Sequence, residues 1–185
     1  MNPKQEKLLN AIIFFVKNTK NCGKMKLFKL LYFTDFIHFK RYGITVTGME
    51  YCAWKMGPVP KKLYEDMASE SNAELNKFIN IVKLKDEDDP ERYEFKLYPK
   101  IKEDLNVFSP NEIEIMKEVA FTFMEATATQ MSEITHLKNS PWDKTIKNKG
   151  LNFIIDYELA IDEDTTLTLD EIRQRHALEK EFDRM

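Results

Sequence analysis

Residues 51–67, YCAWKMGPVPKKLYEDM, decide how this chain folds. The alternating residues 49–56 predict a short strand, which the turn Gly57-Pro58-Val59-Pro60 ends abruptly. Pro60 suits the first turn of a helix, and apolar side chains then recur at helical spacing to about residue 69. This order suits three roles: the lead-in to a DNA-reading helix, part of a catalytic site, or a scaffold that holds another protein.

Two helices are predicted before this stretch. The first begins at Asn2-Pro3, and its apolar residues recur at helical spacing up to Lys17. The second covers residues 24–42, which contain no Gly or Pro and are followed by Gly43. Apolar side chains point in all directions around its axis, which is typical of a helix buried on several sides. We therefore expect the second helix to be the core of the domain.

The residues after the stretch predict a hairpin and then further helices. Residues 78–84 and 93–98 are two predicted strands, joined by the polar, acidic tip 85–92. Residues 153–161 are compatible with another strand. Capping signals mark four later helix starts: Ser109-Pro110-Asn111-Glu112, Thr127 or Thr129, Ser140-Pro141-Trp142, and Thr168 with Glu171.

Helix, helix, strand, helix and hairpin is the order of a winged helix-turn-helix, with residues 60–69 as the recognition helix. The predicted fold class is therefore mainly α with a small β component (α+β), a helical core resembling a winged helix with a β-hairpin wing. Residues 61–70 carry two lysines against three acids, and the wing tip carries five acids. Acids at both contact elements oppose phosphate neutralisation, so we expect no tight binding of duplex DNA.

Length and composition favour one globular domain. With 185 residues, 43% of them hydrophobic, the chain is long enough for one well-buried core. No apolar run approaches the ~20 residues that span a bilayer, and the N-terminus lacks the cleavage site of a signal peptide. Cys22 and Cys52 are too few for a disulfide framework. We therefore expect a cytoplasmic protein with reduced thiols.

Charge is distributed unevenly along the chain. Residues 1–62 carry 12 Lys and Arg against three acids, whereas the rest of the chain has a net charge of −12. Such a division is compatible with a nucleic-acid surface, a dock for an acidic partner, or mutual neutralisation inside the fold. For the dock, we expect a basic sector of the second helix with an apolar centre, formed by Lys26, Lys29, Phe33, Ile37, Lys40 and Arg41.

Asp35 is the most informative single polar residue, because its predicted neighbours on the helix are apolar. Such a carboxylate must be hydrogen-bonded or have a shifted pKa. One interpretation joins it with Cys52, His38 and His136 as a nucleophilic set, but no nucleophile turn accompanies the cysteine. We expect Asp35 to be a structural acceptor, for the Trp54 indole or for a backbone turn.

Metal and cofactor patterns are missing from the sequence. The three histidines lie far apart without ligand spacing, and phosphate-loop or dinucleotide glycine patterns do not occur. We expect no metal and no cofactor. Trp54 and Trp142 each lie beside a proline-containing turn, where a large aromatic either plugs the core or forms part of a binding surface.

Residues 26–64 closely resemble the Panacea domain, also called the SocA-like or phage-associated antitoxin domain. The resemblance rests on Lys-Leu-x-Lys-Leu-x-Tyr at 26–32, Gly43, Gly48, the strand 51–54, Gly57-Pro58-Val59 and Leu63-Tyr64. His136 and Ser140-Pro141-Trp142 are similar to the family's later His-then-Trp region. The residues expected to have a structural role in this motif are Tyr32, Asp35, Trp54, Gly57, Pro58, Tyr64 and His136.

The resemblance implies a domain over residues 1–155. Residues 156–185 match no pattern of the family, and we expect them to form an acidic extension with a terminal helix, packed on or appended to the same domain. The resemblance implies a non-catalytic antitoxin of a toxin-antitoxin system, associated with bacteria and prophages, that binds and neutralises a protein toxin encoded nearby. A homodimer is compatible with this role, and no membrane partner is implied. The partner residues expected here are the basic sector of the second helix and Trp142. A winged-helix DNA-binding transcriptional regulator is the alternative.

Overall fold

The computed structural model describes residues 3–68, 75–83 and 93–182. Within these residues the chain is mainly helical with two antiparallel hairpins, which confirms the predicted fold class. The helices are α1 Pro3–Asn18, α2 Lys24–Tyr42, α3 Lys61–Ala68, α4 Pro110–Thr122, α5 Ala128–Thr135, α6 Pro141–Asn148 and α7 Leu169–Phe182. The strands are β1 Tyr51–Trp54, β2 Gly57–Pro60, β3 Ile79–Lys83 and β4 Tyr93–Leu97.

Helix α2 is the central element, as its apolar pattern predicts. Its side chains are buried on all sides, against α1, α4, α5, β2 and the 3₁₀ turn Tyr157–Ala160. The helix ends at Gly43, whose φ of 75° lets its N–H donate to the Phe39 carbonyl oxygen (2.8 Å). No helix among the described residues is long and apolar enough to cross a membrane.

The prediction of a single strand before α3 is wrong, because residues 57–60 form a second strand. β1 and β2 pair antiparallel, with Tyr51 opposite Pro60 and Trp54 opposite Gly57. A strand tolerates proline where the missing N–H faces away from its neighbour. Pro58 and Pro60 occupy alternate positions of this kind, so β2 forms and α3 begins one residue later than predicted, at Lys61.

Residues 151–155, which we call the edge segment, lie beside β1 on the side opposite β2. The Ala53 N–H donates to the Phe153 carbonyl oxygen (2.9 Å), and the Ile155 N–H donates to the Tyr51 carbonyl oxygen (2.8 Å). The strand predicted over 153–161 is thus reduced to one bridge, between Cys52 and Ile154. The chain then turns into the 3₁₀ turn Tyr157–Ala160, which Asp156 caps.

The second hairpin and the predicted caps are confirmed. β3 pairs with β4 from Ile79 opposite Leu97 to Lys83 opposite Tyr93, and the predicted acidic tip lies outside the described residues. The likeness to a winged helix stays a prediction. Capping bonds are present at Ser109, Thr127, Ser140 and Thr168, so Thr127 rather than Thr129 starts α5.

The C-terminal residues pack against α2. Tyr157 stacks on Phe36 with ring centroids 4.4 Å apart, and Ile172 of α7 is completely buried. Glu179 accepts hydrogen bonds from Lys4 and from the backbone N–H and hydroxyl of Thr45. The division of the chain at residue 155 stays a prediction.

Asp35 holds the loop after α2 and the start of β1 against the helix. Its buried carboxylate accepts hydrogen bonds from the N–H groups of Val46 and Thr47, the Thr47 hydroxyl and the Tyr51 hydroxyl. Burial raises the pKa of this carboxyl group, and the hydrogen bonds from Thr47 and Tyr51 oppose that rise. Asp35 is therefore a structural acceptor, as expected, although the Trp54 indole is not its donor.

We predict that Asp35→Ala lowers the free energy of unfolding by at least about 3 kcal/mol, because it leaves several buried donors without an acceptor. Tyr51→Phe is the matched control, since it removes one donor and leaves three, and it should cost about 1.5–3 kcal/mol. Urea unfolding measures both values. Equal losses for the two variants would contradict the role assigned to Asp35.

Candidate partner-binding site

Lys29 lies at a buried junction between α2, β2 and α5. Its side chain is 0% exposed, and its Nζ donates a hydrogen bond to the Pro58 carbonyl oxygen (2.9 Å). Burial lowers the pKa of Lys29 to about 7, because the charged amine is poorly solvated there. This amine therefore links α2 to the hairpin, and its burial favours the neutral form.

Gly57 is required at this junction because no side chain fits. Its φ is +95°, and a Cβ atom would lie 2.6 Å from Thr135 Oγ1 and 2.7 Å from Lys29 Nζ. The neighbouring α5 is bonded to the same turn, since the Ser132 hydroxyl donates to the Met56 carbonyl oxygen (3.0 Å). The Gly-Pro turn is thus the point where the hairpin, α2 and α5 meet.

Trp142 and His136 attach the α5–α6 turn to the end of β1. The Trp142 indole Nε1 donates to the Trp54 carbonyl oxygen (2.9 Å), and the His136 ring stacks on the indole with centroids 4.0 Å apart. Burial and the nearby Lys29 lower the pKa of His136. Both tryptophans are half-buried, so each packs on the core and keeps one side in contact with solvent.

Two tyrosines of the motif complete the packing around the hairpin. Tyr32 is buried on α2 and meets Tyr51 edge to face, with ring centroids 5.5 Å apart. Tyr64 of α3 packs edge-on against Trp54 (4.8 Å), and Lys24 Nζ lies 3.8 Å from its ring centroid. The structure therefore brings together motif residues from four regions of the sequence.

The prediction that Lys26 and Lys29 face a partner is wrong, because both side chains are buried. Lys26 is 1% exposed, and its Nζ donates to the carbonyl oxygens of Lys20 (2.7 Å) and Met124 (3.0 Å). The long side chains of these lysines reach backbone acceptors on neighbouring elements. Both residues join parts of the protein and lie below its surface.

The rest of the predicted basic sector also makes contacts within the chain. Phe33 stacks on Phe123 with ring centroids 4.7 Å apart, and Arg41 forms a two-pronged ion pair with Glu118 (2.7 and 2.8 Å). Ile37 lies half-buried against the core, and Lys40 pairs with Asp162 (2.6 Å). Much of this side of α2 is therefore engaged by α4 and by the residues after α6.

Ion pairs between the two parts of the chain explain its uneven charge. Basic residues before residue 62 pair with acids after it in Lys4–Glu179, Lys7–Glu112, Lys17–Glu103, Lys20–Glu125, Lys40–Asp162 and Arg41–Glu118. Of the three explanations for the charge division, mutual neutralisation inside the fold is thus the one with direct support.

The residues of the possible nucleophilic set are committed to other contacts. The His38 Nδ1 atom is bonded to the Ile44 carbonyl oxygen (2.8 Å), and the donors to Asp35 include no histidine. Cys52 lies in β1, and burial raises the pKa of its thiol. In the part of the chain that the structure describes, no group of three His, Cys, Asp or Glu side chains is placed to hold a metal ion.

Exposed apolar side chains surround the hairpin, and sequence reasoning missed them. Met56 in the β1–β2 turn and Leu137 after α5 are exposed, as are Leu151, Phe153 and Ile154 of the edge segment. Trp142, which the sequence did suggest, lies beside them through its bond to Trp54. The cluster LNFII directly after Gly150 was the available signal, but its exposure depends on pairing with β1. We call these six residues the hairpin surface.

Comparison with protein families identifies a family to which the chain is similar. The family model described as "Antitoxin SocA-like, Panacea domain" matches residues 27–143, which is more than half of the chain. No curated protein and no solved structure matches the chain. The match runs from α2 to Asp143 and contains the Lys29 junction and Trp142, whereas the edge segment lies beyond it.

We predict that Gly57→Ala lowers the free energy of unfolding by more than the strain of placing alanine at a positive φ would explain. Gly150→Ala is the matched control, since φ is +94° there but nothing lies within 4 Å of an added Cβ. The control should lose about 1–2 kcal/mol from backbone strain, and Gly57→Ala should lose at least about 2 kcal/mol more from overlap with Thr135 and Lys29. Thermal unfolding of both variants checks this, and equal losses would mean that the junction is loosely packed.

We predict that Lys29 makes the stability of the protein depend on pH. Its folded pKa is lowered to about 7 from 10.5, so between these values the unfolded chain binds more protons and stability rises with pH. The slope should reach at most about 1.4 kcal/mol per pH unit. Urea unfolding of the parent and of Lys29→Met at several pH values from 7 to 10 measures this slope. The difference between their unfolding free energies should increase with pH. The exposed control Lys149→Met should give no such slope, and a pH-independent difference for Lys29→Met would contradict the burial of a titrating amine.

Proposed function

The chain belongs to the SocA-like antitoxin (Panacea domain) family, and from that membership we propose that it is a non-catalytic antitoxin. It binds and neutralises a cognate protein toxin, encoded nearby in a bacterial or prophage genome, in the cytoplasm. The observation that carries this proposal is the family match itself, which covers the motif residues of the Lys29 junction.

The contacts of the motif residues support a binding role. Lys26, Lys29 and Gly57 connect elements of the fold, so the most distinctive residues of the sequence build a scaffold. Function then falls to the surface that this scaffold presents. Exposed apolar side chains around a rigid support are typical of protein-binding sites.

The hairpin surface is the proposed toxin-binding site. It combines exposed Met56, Leu137, Leu151, Phe153 and Ile154 with half-buried Trp142. The predicted contact through Phe33, Ile37, Lys40 and Arg41 becomes the competing site, because these side chains are engaged within the chain. An interface centred on Met56 and Phe153 would place large apolar groups at its middle, where binding energy concentrates.

The test is stoichiometric neutralisation of the protein encoded by the adjacent open reading frame. We predict that toxin activity falls linearly with added antitoxin and reaches its minimum at a fixed molar ratio, independent of incubation time. An enzyme would instead act at substoichiometric amounts with a progressive loss of activity. The absence of any effect at tenfold excess would contradict the proposed function.

Two variants locate the site on the surface. Met56→Asp should weaken neutralisation, whereas Phe121→Asp, at an exposed apolar position on α4, should not. A loss with Arg41→Glu and not with Met56→Asp would restore the α2 sector as the dock. A mobility-shift assay with the DNA upstream of the gene tests the alternative of a transcriptional regulator. We expect only non-specific binding, with a dissociation constant that is micromolar or weaker.

A further inference from the structure

We infer that the edge segment binds an extended apolar segment of the toxin as an additional strand, with an acidic residue of that segment placed near Lys55. This inference rests on the proposed function and names the mode of recognition at the same surface. The edge segment lies beside the two-stranded β1–β2 hairpin through a single bridge, and no strand among the described residues pairs with its outer side.

The hydrogen-bond pattern fixes which backbone groups face outward. The bonds from Ala53 N–H to Phe153 and from Ile155 N–H to Tyr51 lie on either side of the Cys52–Ile154 pair. In antiparallel sheets, residues of such a pair direct their own N–H and C=O groups away from each other. The Ile154 N–H and C=O therefore point away from β1, and they have no hydrogen-bond partner among the described residues.

The side chains at this edge favour a protein partner. Phe153 is 53% exposed and Ile154 is 42% exposed, so two large apolar groups lie in solvent next to unpaired backbone. Native sheet edges are usually protected by charges, prolines or a covering element, since an apolar edge pairs with other chains. The edge segment, LNFII, has none of these protective side chains.

The chemistry of the occupant follows from the backbone and from charge. The unpaired N–H and C=O groups of Ile154 are complementary to the backbone of an extended strand. The exposed apolar side chains of the edge segment favour apolar side chains in that incoming strand. Residues 51–60 and 151–155 contain a single charged side chain, Lys55, which is exposed and has no ion-pair partner in the described structure. An acid in the incoming segment would pair with it.

A cleft beside the edge can accept a side chain of the incoming strand. It has a volume of about 350 Å³, and its lining combines the apolar side chains of Met49, Ile154 and Tyr157 with charged side chains, among them Glu50, Lys149, Asp156 and Glu179. The cleft adjoins the end of the edge segment where Ile155 bonds to Tyr51. One side chain of the toxin strand would therefore be buried there while its neighbours lie on Phe153.

The experiment measures the affinity of the purified chain for the protein encoded by the adjacent open reading frame, by titration calorimetry. Ile154→Pro removes the outward N–H and leaves the two bonds to β1 in place, whereas Ile154→Ala keeps the N–H and shortens the side chain. We expect Ile154→Pro to bind at least tenfold more weakly than Ile154→Ala. Lys55→Glu should slow association and reduce its sensitivity to salt.

Phe153→Asp keeps the test decisive if Ile154→Pro does not fold, because it alters only an exposed side chain. It should weaken binding at least tenfold, and Phe121→Asp on α4 should bind like the parent. Parent-like affinity for Phe153→Asp, or for a folded Ile154→Pro, would overturn the inference while leaving the proposed function intact. Failure of the parent itself to bind would instead reject the proposed function.

Sedimentation of the isolated chain tests whether the outer side of the edge segment binds a second copy of this protein and not the toxin. We expect the parent and Phe153→Asp to sediment alike as monomers at micromolar concentration. A parent dimer that Phe153→Asp dissociates would assign the edge to self-association and overturn the inference.

Discussion

The hydrogen bond from the Lys29 amine to the Pro58 carbonyl oxygen is the contact on which the arrangement of the hairpin depends. It places a titratable group at 0% exposure, where a charge without compensation is strongly unfavourable. The turn must come close enough for its carbonyl to accept, and only glycine at position 57 permits that approach. α5 is then held by its bond to the same turn, and Trp142 by its bond to Trp54. The lysine, the Gly-Pro turn and the later tryptophan are far apart in sequence and meet at one junction.

Local signals in the sequence predicted the helices well. Residues 24–42 could be assigned because no Gly or Pro interrupts them and Gly43 follows, and the capping boxes depend only on residues three apart. The second strand could not be predicted in this way. Proline interrupts most strands because it has no N–H group to donate. Pro58 and Pro60 are tolerated here because, in the register with β1, an N–H group at either position would point away from β1. That direction is set by tertiary pairing and is not visible locally.

The candidate site was harder to predict for the same reason. A helical wheel places Lys26 and Lys29 in one sector, but their acceptors are carbonyl groups at Met124 and Pro58, whose positions only the fold reveals. The exposed edge at Phe153 has an apolar sequence typical of a buried strand. Lys26 and Lys29, which the sequence places in a surface sector, are therefore buried. Phe153, whose sequence surroundings are typical of a buried strand, is exposed. The family match supports the proposed binding role, whereas the structure distinguishes the buried scaffold residues from the exposed face that they support.

The most direct test of this separation is backbone amide hydrogen exchange, followed residue by residue with and without the protein encoded by the adjacent open reading frame. The outward Ile154 amide should exchange quickly in the isolated chain and become strongly protected in the complex, since strand addition would bond it. The amides of α2 beside the Lys29 junction should be protected in both states. New protection confined to residues 33–41 of α2, with Ile154 unchanged, would contradict the assignment of binding to the hairpin edge.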